Sequence, residues 1–263
     1  MKLRFTKMQG LGNDYLYVFS PVTENVRDLC VRLCDRHFGV GADGMIFIGE
    51  SDTADFSMCI FNSDGSEADM CGNGIRCVGK YVFDRGLTQK MELTIETRSG
   101  NRNLILKPGA DGRITFVTVD MGKATLLDSM LQLSMGTGVA VSVGNPHVVC
   151  FTKTVMDIPL SLWGPMIEHD DRFPDGVNAE FVQVLSETGL RMRVWERGSG
   201  ITLACGTGAC ASAFAAVYRG FCEKDRPIEV VLDGGSLFVT VQSDGTVMME
   251  GPAETVFIGE TEL

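Results

Sequence analysis

The sequence is poor in positive charge and in long apolar runs. It carries 23 Lys and Arg against 34 Asp and Glu, which gives a net charge of −11. Nucleic acids and anionic membranes are bound through basic patches, so an acidic chain disfavours both partners. The start of the chain holds no apolar core of signal-peptide length, and no run approaches the roughly 18 apolar residues of a membrane span. We expect a cytoplasmic protein that binds neither nucleic acid nor membrane.

Disulfide, metal and cofactor motifs are also missing. The nine cysteines, an odd number, lack the spacing of a disulfide scaffold, so we expect free thiols in a reducing compartment. Cys30 and Cys34 could share one helix face, but only His37 is close, which is too few ligands for a zinc site. The glycine-rich loop at 38–44 lacks the Gly-Lys-Ser/Thr ending of a phosphate loop. No motif centres on a lysine of the kind that holds pyridoxal phosphate. We predict no metal and no cofactor.

What the sequence does contain is a tandem repeat. Cys71 and Cys205 are 134 residues apart, and each is followed by Gly-polar-Gly and then by a helical pattern. Two Gly-Asn pairs, two helix-closing glycines and two hairpin glycines keep nearly the same spacing. A constant spacing indicates duplication. It predicts two domains, residues 1–112 with Cys71 and residues 113–251 with Cys205.

The helix after the second cysteine indicates the fold class. Its sequence over 209–218 has no charged face, and a helix that is apolar all round is buried on all sides. Many short strand-like runs accompany it. The pattern predicts an α/β (α+β) fold of two pseudo-symmetric repeats, each a mostly antiparallel curved sheet or barrel wrapped around a central helix.

Both cysteines lie where a helix begins. The free N–H groups and positive dipole end of that helix point back at the thiol, and the glycines let a ligand approach the backbone. We therefore expect a lowered thiol pKa, suited to proton exchange near neutral pH. A single cysteine in this chain would more often be a small buried apolar residue. The duplication favours a pair of opposed acid and base groups.

Polar residues at the ends of elements are candidate binding groups. Glu196 and Arg197 supply one charge of each sign, which suits a substrate with both ammonium and carboxylate groups. An ordinary turn or a surface ion pair would use the same residue types. Four asparagines add neutral amide donors and acceptors: Asn13, Asn62, Asn145 and Asn178.

Short motifs follow one another along the whole chain: Gly10-Leu11-Gly12-Asn13-Asp14, Phe61-Asn62-Ser63-Asp64-Gly65-Ser66-Glu67, Cys71-Gly72-Asn73-Gly74-Ile75-Arg76-Cys77, Gly144-Asn145-Pro146-His147, Arg172-Phe173-Pro174, Val177-Asn178-Ala179, Glu196-Arg197-Gly198-Ser199-Gly200 and Ala204-Cys205-Gly206-Thr207-Gly208-Ala209-Cys210. Each motif alone is weak, but in this order they are specific. The chain closely resembles the diaminopimelate epimerase family. It departs at Gly44, where some members carry Gln, so any side-chain contact made there is absent.

The resemblance implies a cofactor-independent, cytoplasmic homodimer that interconverts L,L- and meso-diaminopimelate, a precursor of lysine and peptidoglycan. Residues 252–263 would return to complete the first repeat. Cys71 and Cys205 would be the two bases, with Cys205 as proton acceptor and Cys71 as donor from L,L to meso. His147 and Glu196 would tune the thiols. Substrate contacts would come from side chains and from N–H groups of the first helical turns: Asn13, Asn62, Gly72, Asn73, Asn145, Asn178, Glu196, Arg197, Gly206 and Thr207.

Other functions stay open at this point. A proline racemase-like enzyme also uses two cysteines, but the Asn-rich motifs and the Glu196-Arg197 pair favour diaminopimelate. A related isomerase group lacks the paired cysteines. A non-catalytic thiol or metal-binding protein is disfavoured because Cys71 and Cys205 have no Cys-x-x-Cys partners.

Overall fold

The computed structural model describes residues 2–22 and 24–262. The chain forms two compact units, which we call unit 1 and unit 2. Unit 1 consists of two segments, one that ends at Val119 and one that begins at Gly251, whereas unit 2 is Asp120–Glu250. None of the helices described is long and apolar enough to cross a membrane.

The elements of the first half are β1 (Lys2–Gly10), β2 (Asn13–Phe19), α1 (Val26–Cys34), β3 (Gly44–Gly49), β4 (Phe56–Asn62), β5 (Glu67–Ala68), α2 (Gly72–Asp84), β6 (Glu92–Glu96), β7 (Arg102–Pro108) and β8 (Ile114–Lys123). Those that follow are β9 (Thr125–Leu133), β10 (Gly136–Ser142), β11 (Pro146–Phe151), α3 (Leu160–Glu168), β12 (Asn178–Ser186), β13 (Gly189–Glu196), β14 (Gly200–Ile201), α4 (Gly206–Tyr218), β15 (Ile228–Leu232), β16 (Gly235–Val241), β17 (Thr246–Pro252) and β18 (Glu254–Glu262). A single 3₁₀ turn at Val155–Asp157 precedes α3.

The sheet of unit 1 has the strand order β18-β1-β2-β3-β4-β6-β7-β8. Neighbouring strands are antiparallel except at β2–β3 and β4–β6, which are parallel. Each parallel step is bridged by a helix, α1 or α2, as parallel neighbours require a crossover.

The sheet of unit 2 repeats this arrangement with the order β9-β10-β11-β12-β13-β15-β16-β17. Its two parallel steps, β11–β12 and β13–β15, fall at the equivalent places and are bridged by α3 and α4. The predicted fold class is confirmed: two repeats, each a mostly antiparallel sheet around a helix.

The helices α2 and α4 are the buried centres of the two sheets. Around α4 the sheet can approach closely because the buried faces are built from alanine, including Ala209, Ala211, Ala213 and Ala215, all without exposed surface. The α2 helix instead buries a charged group. The guanidinium of Arg76, also fully buried, donates to the carbonyls of Gly72 and Pro252, each at 3.1 Å.

The α1 helix packs in an apolar cluster of unit 1, where Cys30 and Cys34 lie among the buried residues Leu16, Phe47 and Phe61. Burial raises the pKa of both thiols to about 12. These two cysteines therefore behave as apolar packing residues.

Candidate active site

Cys71 caps the N-terminus of α2. Its backbone is extended, with φ −137° and ψ 115°, and its Sγ accepts a hydrogen bond from the Gly74 N–H at 3.3 Å. The N–H groups of Gly72 and Asn73 belong to the first turn, which has no acceptor of its own within the helix. A Cβ at Gly74 would lie 2.7 Å from Cδ1 of Ile46, so a larger residue there would displace the end of the Ile46 side chain.

A hydrogen-bonded chain of polar groups reaches the Cys71 thiol. Its Sγ donates to Oδ1 of Asn13 at 3.3 Å, and Nδ2 of Asn13 donates to Asp43 at 2.8 Å. Arg36 holds the other oxygen of Asp43 at 2.8 Å. Burial raises the pKa of Tyr15, and the neighbouring Cys71 raises it further, so the phenol keeps its proton beside the thiol. Asn13 was predicted from its motif, whereas Tyr15 and Asp43 were not predicted.

Asn62 lies at the end of β4, where its Nδ2 donates to Oγ of Ser66 at 3.0 Å. It is paired in the sheet with Gly44. A Cβ at Gly44 would lie 2.2 Å from the carbonyl oxygen of Phe61 and 2.8 Å from the Tyr15 ring. Position 44 therefore requires glycine in this chain, because the neighbouring backbone and the Tyr15 ring leave no room for a Cβ.

Asn73 is buried within the first turn of α2. Its Oδ1 has no hydrogen-bond partner in the described residues. An unsatisfied buried oxygen in the turn that follows Cys71 is a candidate acceptor for a ligand donor, since such groups are costly to leave unpaired.

Cys205 caps α4 in the same way. Its backbone is extended, with φ −125° and ψ 113°, and its Sγ accepts from the Gly208 N–H at 3.4 Å. The hydroxyl of Thr207 lies 3.6 Å from Sγ. The N–H groups of Gly206 and Thr207 are the first-turn donors here, as Gly72 and Asn73 are in α2.

The expected lowering of the thiol pKa is wrong for Cys205. Burial raises its pKa well above the ordinary value, and the nearby carboxylates of Glu196 and Glu180 raise it further. The hydrogen bonds from Thr207 and Gly208 act in the opposite direction and are outweighed. Cys205 therefore holds its proton as a thiol, because loss of solvent and two negative charges disfavour the thiolate more than the helix N-terminus favours it.

Glu196 is a carboxylate that interacts with the Cys205 thiol and could accept its proton. Burial raises the pKa of Glu196, whereas hydrogen bonds from Thr202 and from the Cys205 thiol lower it in part. A carboxylate with a raised pKa is a stronger base, so it is better matched to a thiol. The predicted role of Glu196 in tuning a thiol remains a proposal, for which this contact is the support.

His147 and Asn145 form a second polar group near α4. Nε2 of His147 lies 3.1 Å from Oδ1 of Asn145, and Nδ2 of Asn145 donates to Oγ1 of Thr207 at 3.4 Å. The other ring nitrogen, Nδ1, lies 2.7 Å from Oε1 of Glu180, and both side chains are fully buried. Glu180 was not among the predicted residues, although it follows directly after the Val-Asn-Ala motif.

The side chain of Asn178 forms hydrogen bonds with the backbone of Arg197 and with the backbone of Pro146. Oδ1 of Asn178 accepts from the Arg197 N–H at 2.9 Å, and its Nδ2 donates to the Pro146 carbonyl at 3.2 Å. Arg197 is exposed, and its guanidinium donates to the Asp175 carbonyl at 2.9 Å. Oε1 of Glu196 accepts from the Thr202 hydroxyl, and the predicted role of Glu196 as a substrate contact beside Arg197 stays a prediction.

The predicted residues thus form one cluster in each unit, apart from Asn62, Asn178 and Arg197, whose hydrogen bonds go to other groups. In unit 1, Asn13, Cys71 and the first turn of α2 lie together. Unit 2 brings together a larger set: Asn145, His147, Glu196, Cys205, Gly206 and Thr207. Each cluster can exchange a proton at sulfur and can bind an anion at a helix N-terminus. The described residues contain no group of three or more side chains that could hold a metal ion.

Solved structures share this fold. A phenazine biosynthesis protein of the PhzF family from Bacillus anthracis superimposes with a TM-score of 0.77 at 16% identity, covering 100% of both chains. A hydroxyproline epimerase from Agrobacterium vitis gives a TM-score of 0.72 at 16% identity, covering 99% of this chain and 91% of its own. At such low identity these likenesses establish the fold alone.

Sequence relatives establish more. Proteins named diaminopimelate epimerase are 49% identical in Parabacteroides distasonis, over 98% of this chain and 97% of that protein, and 46% identical in Acetivibrio thermocellus, over 99% of each. The Bacillus subtilis protein of that name is 45% identical over 97% of each. The chain is therefore an isomerase that acts on amino acids. The family model for diaminopimelate epimerase matches residues 5–127 and 139–256, and the chain belongs to this family.

Proposed function

We propose that the protein interconverts L,L- and meso-diaminopimelate by moving the α-proton between two cysteines, Cys71 and Cys205, without a cofactor. The observation that carries this proposal is the repeated helix cap, in which each thiol accepts an N–H at the start of a buried helix. The kinship over the full length with enzymes of that name supports the choice of substrate.

The chemistry requires two groups because the α-hydrogen leaves one face of the carbon and a proton arrives on the other. The free N–H groups at the helix N-termini supply donors for the substrate carboxylate, onto which negative charge develops when the α-hydrogen leaves. We propose that Gly72, Asn73, Gly206 and Thr207 supply these donors.

From L,L to meso we assign Cys205 as acceptor and Cys71 as donor. Cys205 first passes its thiol proton to the Glu196 carboxylate. The resulting thiolate takes the α-proton, and the C–H electron pair stays on the carbon, delocalised into the carboxylate. Cys71 gives its S–H proton to the opposite face and is left as thiolate. The cycle closes when Glu196 releases its proton and Cys71 gains one.

The two half-sites differ in the groups around the thiol, which supports separate roles. The Cys71 thiol donates to the Asn13 amide and lies beside the Tyr15 phenol. The carboxylates of Glu196 and Glu180 act on Cys205 through their negative charge. A thiol with its own carboxylate base can be unloaded before it accepts a proton, which suits Cys205 to the acceptor role.

For the far end of the substrate we propose Arg197, whose exposed guanidinium can grip a carboxylate through two hydrogen bonds. Asn13, Asn62 and Asn145 are proposed as amide contacts to ammonium and carboxylate groups. Asn178 contributes through the backbone of Arg197, since both ends of its amide are already bound.

We further propose a cytoplasmic homodimer. The support is β18, which presents Val256, Phe257 and Ile258 at 54%, 43% and 59% exposure, an apolar run suited to burial against a second copy. Light scattering on a size-exclusion column measures the mass, and a monomer at enzyme concentrations would contradict the dimer.

The test of function is incubation of purified protein with L,L-diaminopimelate in heavy water. We expect meso product carrying deuterium at the inverted carbon. L-Proline is the control for a proline racemase-like activity. Racemisation of proline without conversion of diaminopimelate would overturn the proposed substrate, and absence of α-deuterium in the product would overturn the two-thiol exchange.

A further inference from the structure

The His147–Glu180 pair is a buried polar contact that the proton transfer proposed above does not use. Both side chains have no exposed surface, and Nδ1 of His147 lies 2.7 Å from Oε1 of Glu180. Oε2 of Glu180 has no partner in the described residues. Such an arrangement is costly unless the carboxylate faces a cation.

The other ring nitrogen decides the charge of the imidazole. Nε2 of His147 lies 3.1 Å from Oδ1 of Asn145, which is a carbonyl oxygen and can only accept. The carboxylate oxygen at Nδ1 also accepts. Two acceptors can both be satisfied only if both ring nitrogens carry a proton. The geometry therefore fits an imidazolium ion paired with a carboxylate.

The orientation of Asn145 follows from that imidazolium. With Oδ1 occupied by His147, the amide turns Nδ2 towards Oγ1 of Thr207, 3.4 Å away in the first turn of α4. Thr207 in turn lies 3.6 Å from Sγ of Cys205. A continuous polar chain thus runs from Glu180 through His147, Asn145 and Thr207 to the thiol.

The repeat provides an internal comparison. Tyr15 pairs with Gly44 in unit 1 as His147 pairs with Asn178 in unit 2, and Ile46 takes the place of Glu180 two residues further along the strand. At Gly74 and Gly208, three residues after the capping cysteines, a Cβ would lie 2.7 Å from Ile46 in one repeat and 2.7 Å from Glu180 in the other. The histidine–glutamate pair is present in unit 2 only, and the apolar Ile46 occupies the position of Glu180 in unit 1.

We propose that Glu180 is a positioning residue: it holds His147 as an imidazolium, which fixes the Asn145 amide with its NH₂ group directed at the N-terminus of α4. There the NH₂ group would donate to the substrate carboxylate, a step that rests on the proposed function. Of the other titratable groups, Glu196 interacts with His147, whereas Cys205 and Cys150 interact with Glu180. Of these only Glu196 adds negative charge as a carboxylate, so Glu180 is the direct counter-ion.

The primary experiment is ¹⁵N NMR of the histidine rings in substrate-free protein at neutral pH. The chain has three histidines, and the exposed His37 and His169 are internal controls. We expect both nitrogens of His147 to be protonated in the wild type. A neutral His147 ring with an unprotonated Nε2 would mean that the Asn145 amide is flipped, with its NH₂ group donating to Nε2. That result would overturn the proposal without any variant.

Glu180→Gln removes the charge but keeps an oxygen for Nδ1–H. We expect the His147 ring to become neutral, so that Asn145 turns its NH₂ group to Nε2 and away from Thr207. KM for diaminopimelate should rise roughly tenfold to hundredfold, as for the loss of one hydrogen bond to a charged group, with a smaller change in kcat. Glu180→Asp should restore the charged ring and part of the affinity.

Glu187→Gln is the matched control, since it removes an exposed carboxylate from the turn after the same strand. It should leave the ring and the kinetics unchanged. An imidazolium that persists in Glu180→Gln, or a KM unchanged while the ring becomes neutral, would overturn the proposal. Failure of the proposed function is distinguishable, because the wild type would then show the charged ring and no turnover of diaminopimelate.

Discussion

Glu196→Gln separates the proposed proton-accepting role of Glu196 from its role in packing. Glutamine keeps the size of the side chain and an oxygen for the Thr202 hydroxyl, which donates to Oε1 of Glu196. It removes the carboxylate that we propose as the acceptor of the Cys205 thiol proton. The cysteine is almost fully buried, at 4% exposure, so water is a poor substitute for the lost base.

We expect kcat from L,L to meso to fall by roughly 10²–10⁴, the usual contribution of a general acid–base group. That corresponds to a barrier higher by about 3–5 kcal/mol. KM should change less, because the helix N–H donors and Arg197 are untouched. Chromatographic separation of the two diastereomers over time measures both constants, with Glu187→Gln as the control.

The same variant should be more stable than the wild type at neutral pH. Burial raises the folded-state pKa of Glu196 above its unfolded value, so the folded state favours the protonated acid. The stabilisation from this group is complete below the unfolded pKa of about 4.3 and is lost as pH rises through the folded pKa. Glutamine stays neutral throughout, so the two proteins should differ in urea midpoint at neutral pH and converge under acid.

Two results would refute this reasoning. Turnover near the wild-type rate in Glu196→Gln would show that Cys205 loses its proton by another route. A variant that loses activity and is also less stable than the wild type at neutral pH would show that the carboxylate is a structural anchor.

Other substitutions test the remaining parts of the site. Cys71→Ala and Cys205→Ala should each lower epimerisation by at least roughly 10²-fold while the circular dichroism spectrum is kept, and near-normal turnover in either would remove that cysteine as a base. Arg197→Met should raise KM for diaminopimelate by roughly tenfold or more, with the exposed Arg226→Met as control; equal KM values would assign Arg197 a structural role. Gly44→Ala should lower the free energy of unfolding by about 1–3 kcal/mol in a urea titration, since its Cβ would collide with the Phe61 carbonyl. Gly49→Ala on the same strand meets only the Ser57 hydroxyl, at 3.0 Å, and should cost less; equal losses would contradict the steric account.

The repeat and the two capping cysteines could be predicted because they depend on local signals. A glycine-rich turn before an apolar helix fixes the cap wherever the rest of the chain lies. The strand β9 was not predicted, since Leu126, Leu127, Met130 and Leu131 do not alternate and most of the strand is exposed. A strand of this kind is specified by its pairing with β10 and not by its own pattern.

The partners of the thiols could not be predicted for a different reason. Asp43 reaches Asn13 across 30 residues because β2 and β3 pair in parallel, and the register of that pairing is not written in either segment. His147 meets Glu180 through the equivalent pairing of β11 with β12. The expected lowering of the Cys205 pKa was wrong because the sequence shows the helix N-terminus, which lowers the pKa. It does not show the burial beside two carboxylates, which raises the pKa.

The pairing of β1 with β18 has a consequence for biosynthesis. Lys2 bonds to Glu260 across 258 residues, and the whole of unit 2 is encoded between the strands that this contact joins. Ribosomes add about 5–20 residues per second, so the edge of β1 that faces β18 waits roughly ten to fifty seconds for its partner, whereas its other edge pairs with the neighbouring β2. All of unit 2 is synthesised during that interval. Until β18 is made, the unpaired N–H and C=O groups on that edge of β1 can pair with the strand edge of another chain.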